Sequence, residues 1–87
     1  MNDEYYLATF KTTHDALSFD KRFLSKGYKT IIIPVPREIS HSCGLSVRLP
    51  NIDLGNIIQI IDKEDISVES IYLINNNEKG KIIKRII

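Results

Sequence analysis

Lys29-Thr30-Ile31-Ile32-Ile33-Pro34-Val35-Pro36-Arg37-Glu38-Ile39-Ser40-His41-Ser42-Cys43-Gly44-Leu45-Ser46-Val47-Arg48-Leu49 is the stretch on which the fold turns. It opens with a continuous isoleucine run. It closes with Leu45, Val47 and Leu49 alternating against Ser46 and Arg48. Both ends read as strands, the second half-buried with one wet face. Pro34 and Pro36 forbid a helix between them and hold the chain extended. Two strands therefore follow one another directly, joined by a loop.

Outward from that pair, the pattern is symmetrical. Residues 5–10 are aromatic and apolar and read as a first strand. Thr12 and Thr13 offer helix caps, and Thr12 stands three residues before Asp15, the spacing of a capping box with a shorter acid. Ala16, Leu17, Phe19, Phe23 and Leu24 form a helical stripe, with Asp20 at its edge or buried and hydrogen-bonded, and Gly27 ends the helix. Beyond the central pair, Leu54, Ile57, Ile58 and Ile61 recur at helical spacing, capped by Asn51 or Asp53. Residues 68–74 read as a last strand, residues 75–80 as a turn or loop, and residues 81–87 as a short basic and apolar tail.

The order is βαββαβ. It predicts an α+β, ferredoxin-like two-layer sandwich: a four-stranded antiparallel sheet with two helices on one face. Residues 1–74 form the single domain and residues 75–87 the tail. By alternation Tyr5, Leu7, Arg48, Tyr72 and Ile74 point away from the helices. That is more apolar surface than a small monomer leaves wet, so the tail, or a second copy in a homodimer, should cover it.

Composition narrows the function. With 87 residues, 43% of them hydrophobic, the chain makes one small core. A net charge of +1 argues against a nucleic-acid binder relying on bulk charge. The start, Met1-Asn2-Asp3-Glu4, is acidic where a signal peptide needs a basic and then apolar run. No run approaches the roughly 20 apolar residues of a membrane span. The expectation is a cytoplasmic protein with no membrane and no nucleic-acid partner. The single cysteine allows no internal disulfide. No phosphate loop, nucleophile elbow or zinc-protease motif is present.

Thiol chemistry, if the chain performs any, belongs to Cys43. A cysteine used only for packing more often sits in an apolar run, whereas this one follows Ser40, His41 and Ser42 and precedes Gly44. Strand direction places the loop at the same end of the sheet as the start of the first helix. Cys43 shares parity with Leu45 and Val47 and should lean toward the helix layer. There the helix N-terminus, Thr12, Thr13, Ser40 and Gly44 would cradle an anion, and the thiolate is one. Arg37, Ser42, His41 and His14 complete the candidate set. Each has a plainer role: His14 and His41 as solvated surface residues, Arg37 and Glu38 as a weak surface pair, Cys43 as an inert thiol. A soft metal on Cys43, His14 and His41 lacks any paired-ligand spacing, so no metal and no cofactor are expected.

Thr9-Phe10, Thr13-His14 with Ala16-Leu17, and above all Pro36-Arg37-Glu38-Ile39-Ser40 through Ser42-Cys43-Gly44-Leu45 resemble the selenium/sulfur carrier-like family of small bacterial proteins, a domain of formally unknown function. The resemblance covers residues 5–74. It departs at His41, where a small residue such as serine is expected. It implies that Cys43 holds sulfur or selenium as a persulfide or selenosulfide. A cysteine desulfurase-type donor and an acceptor enzyme would be its partners, the chain itself being more a carrier than an enzyme. Two other classes stay open: a ligand-binding or dimerisation module of ferredoxin-like fold, and a thiol redox or metal-handling protein.

Overall fold

A computed structural model of the chain describes residues 3–39, 44–49 and 54–87. The elements are β1 (Asp3–Thr9), α1 (Thr13–Ser25), β2 (Ile31–Pro34), β3 (Leu45–Leu49), α2 (Leu54–Lys63), β4 (Ser70–Asn77) and β5 (Gly80–Arg85). All pairings are antiparallel, and the strands lie in the order β2-β3-β1-β4-β5.

The sheet therefore has five strands, not the four of the expected ferredoxin-like sandwich; the α+β class holds. The difference arises at residues 75–87. Asn75, Asn76 and Asn77 read as turn-formers, yet they extend β4, opposite Ile82, Lys81 and Gly80. The reversal is compressed into Glu78 and Lys79. Asn77 Oδ1 accepts from the Lys79 N–H at 2.9 Å. Gly80 takes φ +130°, a conformation that L side chains rarely adopt. Pairing along the β4 edge then outweighs the turn propensity of the asparagines.

α1 is fixed at both ends by its own sequence. The Thr12 hydroxyl oxygen accepts from the Asp15 N–H at 3.1 Å. At the other end the Tyr28 and Gly27 N–H groups donate to the Phe23 and Leu24 carbonyls at 3.1 and 3.0 Å. Gly27 stands at φ +92°. This is a Schellman motif, and its apolar contact is the Phe23–Tyr28 ring pair, 5.4 Å between centroids.

The helix-side core gathers Ala8, Phe10, Ala16, Phe19, Phe23, Val47, Leu49, Ile57, Ile66 and Ile71. Phe19 meets Phe10 edge-on at 5.2 Å and stacks on Phe23 at 4.2 Å. The expected α1 stripe is only partly right. Leu17 and Leu24 are about half exposed, because the sheet reaches only the Ala16–Phe19–Phe23 side of the helix. Asp20 is indeed a bonded acid: the Thr30 hydroxyl donates to its Oδ1 at 2.6 Å, tying α1 to the approach to β2.

The other face has a core of its own: Tyr5, Leu7, Ile39 and Ile74, with Ile33, Val35, Tyr72 and Ile83 packed around them. Tyr5, Leu7 and Ile74 were expected there. The tail, one of the two expected coverings, supplies Ile83 from β5; the buried lid, Ile39 from the loop after β2, was not expected.

Candidate functional site

The loop that leads to Cys43 springs from the β2–β3 pair. Ile33 opposes Ser46 and Pro34 opposes Leu45. One step further the Val35 N–H donates to the Gly44 carbonyl at 3.1 Å, which closes the base of the loop. The Ile39 N–H then bonds the Pro36 carbonyl at 3.1 Å, so residues 36–39 form a tight turn. Proline at its first position fits the extended approach that Pro34 and Pro36 impose.

That turn heads for the helix-free face. Ile39 keeps 4% of its surface and packs with Tyr5, Leu7 and Ile74. Glu38 continues the same way: its carboxylate lies 3.4 Å from the Lys81 ammonium on β5. Since β2 and β5 are opposite edges of the sheet, residues 35–39 form a strap across it. Arg48 lies on the same face with its guanidinium 4.2 Å from the centre of the Tyr5 ring, a cation–π contact.

The candidate residues fall as follows. Ser40, His41, Ser42 and Cys43 lie outside the described residues. Gly44 is exposed, with its carbonyl engaged at the loop base. Arg37 is exposed in the turn, and the expected pair with Glu38 does not form, because Glu38 is turned to Lys81. Thr12, Thr13 and His14 are exposed at the start of α1, where Thr12 serves as the cap. The start of α1 borders a polar cleft of about 150 Å³ whose lining includes Lys11, Asp15, Ser67 and Glu69. No hydrogen bond or ion pair among the described residues joins Arg37 to Thr12, Thr13 or His14. Nor do the described residues include three or more metal-ligating side chains grouped around one point.

Sequence reasoning passed over Ile39, Glu38 and Lys81 as members of the loop's architecture. A signal was present. Ile39 is the one large apolar residue between Pro36 and Gly44, and an isolated isoleucine in a polar loop asks for a buried seat.

The sequence model of the family described as "Putative Se/S carrier protein-like" matches residues 5–73. The chain belongs to that family. The match runs from β1 into β4 and takes in the strap, the loop and Cys43; β5 lies beyond it. Neither a curated protein nor a solved structure matches the chain significantly. No helix among the described residues is long and apolar enough to cross a membrane.

Proposed function

We propose that the chain is a sulfur or selenium carrier, with Cys43 holding the transferred atom as a persulfide or selenosulfide. The supporting observation is family membership over residues 5–73, a span whose sole thiol is Cys43. Loading needs no oxidant. The Cys43 thiolate attacks the outer sulfur of a donor persulfide. A new S–S bond forms at Cys43, the donor's S–S bond breaks, and the donor leaves as its thiolate. The outer atom then passes to an acceptor by the same kind of exchange. A cysteine desulfurase-type donor supplies that chemistry. The proposed setting is cytoplasmic, where thiols stay reduced. Arg37, Ser42 and His41 are proposed to hold the charged outer atom in the loop.

Incubation with a desulfurase and sulfur-labelled cysteine, followed by non-reducing mass spectrometry, tests this. Wild type should retain one labelled sulfur and Cys43→Ser none, with the fold unchanged because the replacement is nearly isosteric. Equal label on the two proteins would remove the carrier reading.

A second reading has its own observation. A cleft of about 260 Å³ opens beside α2, lined by Ile58, Ile61, Ile66, Val68, Ile71 and Ile87, with Asp62 and Glu69 completing the wall. Its aliphatic lining suits a small apolar ligand. Failure of sulfur loading would move the module reading ahead.

A further inference from the structure

We propose that the helix-free face is a docking surface whose resting occupant is the chain's own strap, and that it accepts from a partner a turn-forming segment carrying an aliphatic side chain beside a carboxylate. The strap defines that chemistry. Ile39 fills an apolar seat floored by Leu7 and Ile74, neither of which keeps any exposed surface, with Tyr5 beside them. The neighbouring residue, Glu38, gives its carboxylate to Lys81 at 3.4 Å. The turn closed by Ile39 N–H and the Pro36 carbonyl presents the two side chains together.

The seat belongs to the sheet, and the occupant to a loop. Tyr5, Leu7 and Ile74 sit on paired strands, with Tyr5 directly opposite Ile74 and Ile74 opposite Ile83. Lifting the strap leaves these pairings intact and bares their apolar face. Beyond its base at Val35, which packs beside the seat and bonds the Gly44 carbonyl, the occupant is held by one buried side chain and by an ion pair whose members are both substantially exposed, 36% and 53%. Contacts of that kind are exchangeable, because an incoming aliphatic group and carboxylate restore both. Tethering gives the strap a high effective concentration, so a free segment competes poorly until the strap is weakened.

The strap leads directly into the Cys43 loop. Under the carrier reading, the protein that displaces it is one that meets the thiol; docking itself does not depend on that reading.

The probe is a synthetic blocked peptide with the sequence of residues 34–39, titrated into the isotope-labelled full chain and followed by amide chemical shifts. Ile39→Ala should bind it about tenfold more tightly than wild type, since the competing occupant is lost. Shifts should centre on Tyr5, Leu7, Ile74 and Ile83. Adding Lys81→Gln, or replacing the peptide's glutamate by glutamine, should weaken binding about two- to threefold, as expected of an exposed ion pair. Should Ile39→Ala not fold, the exposed Glu38→Gln takes its place, with binding about twofold tighter than wild type. Equal affinity for strap-weakened and wild-type chains, absence of binding to the weakened chain, or shifts centred on α1 and α2 would each overturn the proposal. Sulfur loading plays no part in the readout, so the docking and carrier readings fail separately.

Discussion

On one face of the sheet, α1 lays Ala16, Phe19 and Phe23 into a continuous aromatic core, and α2 adds Ile57. On the other, residues 35–39 lay down a single buried side chain, Ile39, steadied by an exposed ion pair. Both cover apolar strand residues, and both leave them nearly dry. The means differ in kind. A capped helix carries its own hydrogen bonds and buries a stripe, so removing it removes much of the core. A strap draws its order from the surface beneath it, so it can leave without dissolving that surface. One face is therefore built for permanence and the other for exchange.

The helix face should give the largest effect. Phe19→Ala removes a fully buried ring packed on both Phe10 and Phe23, and should cost about 3–5 kcal/mol in chemical denaturation. For a small domain of marginal stability, that is much of the total.

Ile39→Ala should cost less, about 2 kcal/mol, at the low end for a buried aliphatic truncation, since a loop settles onto the smaller side chain more readily than a helix does. Hydrogen exchange sharpens the contrast. The Ile39 and Val35 amides should exchange through local opening faster than those of α1 and β1, and the substitution should widen the gap. A loss equal to that of Phe19→Ala, or uniform exchange, would show the strap to be as integral as the helix.

The smallest effect concerns how the helix layer is tied. Glu64, just beyond α2, meets the Lys26 ammonium at the end of α1, and its carbonyl accepts from Arg22 Nη1 at 3.2 Å. The hydrogen bond from Lys26 holds the Glu64 carboxyl below its ordinary value of 4.5; burial opposes this, while the charges of Lys26, Arg22 and Lys63 add to it. Because the folded-state value is depressed, the stabilisation is present above 4.5 and lost as pH falls through the folded-state value. Glu64→Gln should flatten that acid limb in melting temperatures taken from about pH 6 to pH 3. An unchanged acid limb would mean that the helix layer does not depend on this tie.

Much of this was legible in the residues. Local signals are written locally: the Thr12 cap, the Gly27 stop, the α1 stripe apart from Leu17 and Leu24, and the alternation of Leu45, Val47 and Leu49 each depend on near neighbours in the chain. The family is legible too, from the segment around Cys43. The fifth strand was hidden, since three asparagines favour a turn in isolation and yield only to the free edge of β4. The strap was hidden for the same reason at longer range. Ile39 and its floor residue Ile74 lie far apart in the chain, as do Glu38 and Lys81, and no periodicity links them. Sequence alone determined the caps, stops and alternation of the local elements and where the one thiol stands. Tertiary structure decided which surface would bury Ile39, because a seat made of β1 and β4 exists only once those strands have paired.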